Sequence, residues 1–420
     1  LRWWVAAALV YVMLMSSAAA MALAPYPSPP AWGVASNTGL TLAWFNPLNL
    51  SEVIFTSQNG TALVQLGDRA YWLPVTFYSA CSEGNEVFIA GSYDDQPALA
   101  VVTSRGAEAL VAGVNGTLTT ISCEGDQVVG AGVEESFLSP PYRPLLIAYS
   151  PSSPSALAAD TVIYDYPLSA YCYDGGCYVT DGSSDVVLFN SSGAYRLEAP
   201  DYVSVYFVGQ GVMAGQYALN QSYMPFVYVM KDNVTYALST SGYVQAVARR
   251  LNTWDLFVRP PSGWSYQAFL TGSGAMDGVT VAFDYPYSLN YLYPFEGGFE
   301  ITGTLYLPGG VQEQVGIFVN GTAEGYLSSS GQVLGWTSSS RPALTLPKLL
   351  RLPPVTVNVT SVGLEELNVS LINVPMQRAQ PLRLSRLSLQ RNAYDDLVSY
   401  ILDAALLATV ISAFVARLPK

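Results

Sequence analysis

Short runs rich in Val, Leu, Ile, Phe and Tyr alternate along the chain with clusters of Gly, Ser, Asn, Asp and Pro. Apolar runs that alternate in steps of two and stop at such clusters predict β-strands closed by turns. No convincing amphipathic helix, with apolar positions every three to four residues, precedes residue 390. The pattern predicts an all-β fold.

The strands repeat. A strand–polar turn–strand unit over residues 53–66 recurs over 99–111, and further copies begin near Leu145, Val186, Phe226, Leu256 and Ile317. From Val53 to Ile317 the mean step is 44 residues, with the Leu256 copy displaced. A second signal lies between these hairpins: Asp165-Tyr166-Pro167 matches Asp284-Tyr285-Pro286, with weaker copies at Tyr202 and Tyr243. The four tyrosines step by 36, 41 and 42 residues, and Cys81 and Cys123 add another step of 42 in matching contexts. Four short strands every 40–45 residues is the period of β-propeller blades, which bury both faces only by stacking in a ring. In this spacing the chain resembles the β-propeller superfold. It lacks a Trp-Asp blade ending, a kelch double glycine and the sialidase Ser-x-Asp-x-Gly-x-Thr-Trp box. The resemblance implies about seven four-stranded blades over residues 31–331, with boundaries near 76, 118, 167, 203, 244 and 286. Tandem β-sandwiches, at about 100 residues each, explain the 42-residue step poorly.

The two ends depart from this pattern. Arg2 precedes an apolar run from Trp3 to Met15 and then small residues to Ala22, the form of a signal peptide over residues 1–22. An uncleaved signal anchor is the alternative. A Pro-rich lead follows at 23–30. Residues 332–375 hold alternating strands around Gly363 that would close the ring or form a small β module. Residues 376–396 read as a basic linker, and 397–416 as a transmembrane helix with Asp403 its one charge, before a cytoplasmic tail at 417–420. An amphipathic helix docked on the domain or on a membrane surface is the alternative there.

Charge divides along the same line. Residues 1–340 carry 26 acidic and 9 basic side chains, and 341–420 carry 5 and 9. The overall charge of −13 argues against a nucleic-acid partner. Asn-x-Ser/Thr sequons stand at Asn49, Asn59, Asn115, Asn190, Asn220, Asn233, Asn320, Asn358 and Asn368. Composition alone would give about 2.5, so the excess points to a glycosylated surface. Three of them are Asn-Gly-Thr, which also suits a hairpin turn. Cys172 and Cys177 flank a Tyr-Asp-Gly-Gly turn, and with Cys81 and Cys123 they predict the disulfides 172–177 and 81–123 of an oxidising compartment.

The chain has no histidine. That excludes a Ser-His-Asp triad, a Cys-His pair and histidine-ligated metals. Carboxylate chemistry is still open: Asp94-Asp95, Glu134-Glu135, Asp165 and Asp284 are candidates for a paired-carboxylate glycosidase. Each also has a plainer reading as a solvated loop or as a turn in which Asp bonds its own backbone. No catalytic or metal residue is assigned and no cofactor is expected. Acidic loops leave Ca²⁺ as an alternative, although no Asp-x-Asp-x-Asp-Gly loop is present. The expected protein is an exported, glycosylated β-propeller, tethered by a C-terminal helix to the extracellular face of the cell membrane. It would bind surface proteins or glycans in adhesion or a surface layer. A carbohydrate-active enzyme and a solute-binding receptor are the alternatives. Sparse charge, no histidine and dense sequons resemble archaeal surface glycoproteins.

Overall fold

The computed structural model describes most residues between 41 and 387; residues 1–40, 388–420 and short internal stretches, 337–347 the longest, lie outside the description. The described chain is all-β, with 34 strands in antiparallel sheets and no helix. The expected signal peptide and C-terminal helix lie outside the described residues. Among those described, no helix is long and apolar enough to cross a membrane.

The strands fall into seven consecutive four-stranded meanders. Unit 1 is β1 (Thr41–Phe45), β2 (Glu52–Thr56), β3 (Thr61–Leu66) and the first half of β4 (Arg69–Glu83). The second half of β4 opens unit 2, with β5 (Glu86–Tyr93), β6 (Gln96–Thr103) and β7 (Gly106–Ala112). Unit 3 is β8 (Gly116–Glu124), β9 (Gln127–Glu134), β10 (Arg143–Tyr149) and β11 (Ser155–Ala159). Unit 4 is β12 (Ser169–Tyr173), β13 (Gly176–Thr180), β14 (Asp185–Asn190) and β15 (Gly193–Glu198). Unit 5 is β16 (Val203–Gly209), β17 (Val212–Leu219), β18 (Ser222–Val229) and β19 (Val234–Leu238). Unit 6 is β20 (Tyr243–Arg250), β21 (Thr253–Arg259), β22 (Tyr266–Leu270) and β23 (Ala275–Ala282). Unit 7 is β24 (Tyr287–Phe295), β25 (Gly298–Leu307), β26 (Val311–Val319) and β27 (Glu324–Ser328), with β28 (Val333–Trp336) added as a fifth strand.

The hairpins that recur from Leu99, Leu145, Val186, Phe226 and Ile317 are the third and fourth strands of their units, whereas residues 53–66 are β2–β3, the second and third strands of unit 1. The displaced copy at Leu256 is a further exception. Leu256 lies in β21, a second strand, and the equivalent hairpin of unit 6 is β22–β23. In a meander every adjacent pair has the same apolar–turn–apolar signature, so periodicity alone cannot number the strands.

Middle strands are buried on both faces. Six consecutive residues of β6, Pro97 to Val102, are buried, which is why such strands read as continuous apolar runs. Each cluster of core side chains lies between units: Leu99, Leu118 and Leu145 join units 2 and 3, Val133, Ala170 and Val187 units 3 and 4, and Val186, Val205 and Phe226 units 4 and 5. Val227, Phe257 and Phe299 join units 5, 6 and 7. The seventh unit then meets the first: the Phe45 amide donates to Glu300 Oε1 at 2.7 Å, and Thr302 Oγ1 donates to the Ala43 carbonyl at 3.3 Å.

The C-terminal segment follows a different rule. Its strands are β29 (Lys348–Arg351), β30 (Val355–Thr360), β31 (Glu365–Val369), β32 (Leu371–Val374), β33 (Met376–Arg378) and β34 (Ser385–Leu387). They neither form a module of their own nor a ring-closing unit, as residues 332–375 suggested. β29 pairs with β23, β30 with β23 and β19, β31 with β15, β32 with β11, β33 with β7 and β34 with β4. The segment passes units 6 to 1 in reverse order and lays a strand on the last strand of each of these six. Residues 376–396, expected as a linker, thus contain two strands. Their backbone groups satisfy exposed sheet edges, a demand of the neighbouring units that alternation in the segment itself does not show.

Candidate functional site

One cavity of about 1140 Å³ is walled by the first strands of the units, from Trp44 on β1 through Tyr78, Thr120, Ala170, Phe207 and Ala246 to Tyr291 on β24. These strands lie side by side in the same direction. Near their starts, Thr119 Oγ1 donates to the Pro167 carbonyl at 2.7 Å, and the rings of Tyr206 and Tyr243 lie 4.7 Å apart. Near their ends, the Gln210 amide and Nε2 both donate to the Glu124 carboxylate, at 2.9 and 2.8 Å. The cavity therefore has two chemically distinct ends.

At the starts of the strands a backbone device repeats. The register shifts by one residue at Leu42/Trp44, Phe77/Ser79, Leu118/Thr120, Val205/Phe207, Val244/Ala246 and Leu289/Tyr291. Such a bulge leaves one residue unpaired and re-aims its side chain. The unpaired residues are Ala43, Tyr78, Thr119, Tyr206, Gln245 and Asn290, and the last five line the cavity. Opposite three of the bulges stand Gly91, Gly132 and Gly215, where an added Cβ would overlap the carbonyl of Thr76, Thr117 or Ser204. The signal was present as Ala90-Gly91, Ala131-Gly132 and Ala214-Gly215. A small pair inside an apolar run marks a bulge.

At the far end the wall is polar. Burial raises the pKa of Glu124 against the opposing pull of its two bonds from Gln210. Burial also raises Tyr171, with Glu124 adding to the shift and Arg249 and the Gly211 backbone opposing it. Glu300, buried in the wall, is pushed well above the usual carboxylate range by desolvation, only partly offset by the Phe45 amide. Beside it the Tyr293 hydroxyl is buried without a protein partner, as is Gln245 Oε1. Neither carboxylate was singled out from the sequence, where nothing distinguishes them from surface acids.

The residues expected to carry chemistry lie elsewhere. Asp94 and Asp95 form a hairpin turn with φ of 49° and 61°. Glu134 pairs with Arg143 at 2.8 Å. Asp165 accepts from the Tyr166 amide at 2.8 Å. Tyr166 donates to Glu135 at 3.1 Å and stacks on Tyr142; burial, then these two neighbours, raise its pKa. Pro167 leads into β12. Asp284, Tyr285 and Pro286 lie outside the described residues. The cysteines stand at disulfide distance as 81–123, which links the first strands of units 2 and 3 at the cavity wall, and as 172–177, directly opposed in the β12–β13 hairpin. Among the sequon asparagines, Asn115, Asn220, Asn233 and Asn368 are exposed, and Asn190 is half-buried with its side-chain oxygen accepting from the Ser192 and Gly193 amides. Asn358 pairs with Ala237 in the sheet, and Asn49, Asn59 and Asn320 lie outside the described residues. Among the described residues no three His, Cys, Asp or Glu side chains gather to hold a metal ion. No family model matches the chain, and no curated protein matches it.

Proposed function

We propose that the seven units are the blades of one β-propeller, and that the chain is an exported, glycosylated surface protein which works by binding a ligand in the central cavity. The observation that carries this reading is a cavity walled by the first strand of every unit, with unit 7 bonded back to unit 1. A ring of meanders gives that geometry, and a row of sandwiches does not. Exposed sequon asparagines and two disulfide pairs favour an oxidising, extracytoplasmic setting. In this reading residues 397–416 anchor the chain in a membrane.

Negative-stain electron microscopy of the purified chain tests the architecture. Toroidal class averages with a central hole are expected, and an extended arc would overturn the ring. Carbonate washing of membranes tests the anchor: the full chain should stay with the membrane, and a chain ending at residue 395 should be released. The carbohydrate-active enzyme takes second place, because Asp94, Asp95, Glu134, Glu135 and Asp165 all lie outside the cavity lining.

A further inference from the structure

Resting on that binding role, we infer that the end of the cavity at the strand starts is a site for a neutral carbohydrate, stacked on tyrosine rings and hydrogen-bonded by uncharged side chains presented by the bulges. The bulge is the same backbone device in six of the seven first strands, yet it presents Ala, Thr, Gln and Asn once each and Tyr twice. A residue needed for the fold would recur with the device. Here the backbone recurs and the side chain varies, as in a scaffold that holds several different contacts toward one ligand.

The chemistry of those contacts selects the ligand class. Tyr78, Thr119, Tyr206, Gln245 and Asn290 are all uncharged, and all carry hydrogen-bonding groups. Tyr78 is 41% exposed, and Tyr243 lies against Tyr206. Aromatic faces beside amides and hydroxyls suit a sugar ring, which has an apolar C–H face and a polar rim. Gln245 Oε1 is buried without a protein donor, an unmet acceptor in the wall beside these groups.

Other ligand classes fit less well. An anion would need cations, and Arg249 is the one basic side chain in the lining, which also holds Glu124 and Glu300. Arg249 stands six residues beyond Tyr243 on β20, toward the polar end where Gln210 ties unit 5 to Glu124 of unit 3. A fully apolar ligand would make no use of the hydroxyls of Tyr78, Thr119 and Tyr206 in the lining.

The test uses the full chain in detergent on an array of neutral hexose, pentose and N-acetylhexosamine oligosaccharides, with uronic-acid and sulfated oligosaccharides as the contrast. Saturable binding to at least one neutral oligosaccharide is expected, with its protons receiving saturation transfer from tyrosine ring protons in NMR. The double variant Tyr206→Ala/Tyr243→Ala should weaken binding by at least about tenfold, and Tyr206→Phe, which keeps the ring, by less than about threefold. Tyr78→Ala serves as a second variant at a more exposed position, so that loss of binding is separable from loss of folding. Binding confined to the acidic oligosaccharides, or none to any neutral one, overturns the inference. If microscopy shows the ring and the array stays empty, the ligand class alone is wrong. Without the ring, the reading beneath it fails as well.

Discussion

The seven meanders and the C-terminal strands are built from the same kind of residue but held by opposite rules. In a meander each strand pairs with its sequence neighbour across a short turn, as Val87 to Tyr93 do with Gln96 to Val102. In the C-terminal segment each strand pairs with a partner far away in the chain: Leu371 opposes Ala159, and Met376 opposes Ala112. Local pairs cost little loop entropy and form wherever the turn allows. The distant pairs close far longer loops and use edges that belong to the units. The segment is thus a strap laid over a body that already has its own core.

Cutting the strap off tests this contrast most strongly. A chain ending at residue 345 should expose the edges of β4, β7, β11, β15, β19 and β23 together. A fall in melting temperature of at least about 10 °C, with a rise in light scattering on heating, is expected. An unchanged melt would show that the strap contributes nothing to the body.

Single truncations sharpen the comparison. Phe257 is fully buried, edge-on to Phe299 with centroids 5.6 Å apart, and joins three units. Phe257→Ala should cost about 3–5 kcal/mol in denaturant unfolding. Val374, the strap residue buried against units 2 and 3, should cost about 1–2 kcal/mol as Val374→Ala. Equal losses would erase the distinction between body and strap.

The two disulfide pairs differ in reach. Cys81–Cys123 spans 42 residues and crosses between units, whereas Cys172–Cys177 spans 5 within one hairpin. By loop length, changing both cysteines to serine should cost about 4 kcal/mol for the first pair and about 2 kcal/mol for the second. Denaturant melts of the two double variants would rank them, and the reverse ranking would place the constraint inside the hairpin.

The smallest effect concerns the junction of units 7 and 1. Desolvation holds the Glu300 carboxyl well above its usual range, with the Phe45 amide opposing. The folded chain therefore keeps a proton that the unfolded chain releases near pH 4.3, about the ordinary glutamate value. This contribution to stability is complete below that pH and is lost as pH rises toward the folded value. Glu300→Gln keeps an acceptor for the Phe45 amide and removes the titration. It should match the parent near pH 4 and exceed it in stability at pH 7–8. A parent whose stability does not fall between those values would contradict the assignment.

The all-β class was legible because alternation and turn residues are local properties. The meander period was legible because the hairpins recur. Both cysteine pairings were readable, one from its turn and one from its matching contexts. The cavity wall was not. Glu124 and Glu300 look like any other acid until Gln210 and Phe45 are placed beside them. Gln245 and Asn290 gain their positions from bulges that shift the register by a single residue, a change too small to alter the apolar pattern.

The sequence by itself determined where strands start and stop, that they come in groups of four, and that the body is acidic while the last eighty residues are basic. Those properties depend on neighbours within a few residues. Only the tertiary structure decided that the last strands are shared out one after another among distant sheets, and that uncharged side chains gather at one end of a common cavity. Those outcomes depend on unsatisfied edges and on backbone offsets in other parts of the chain, which no local pattern of residues records.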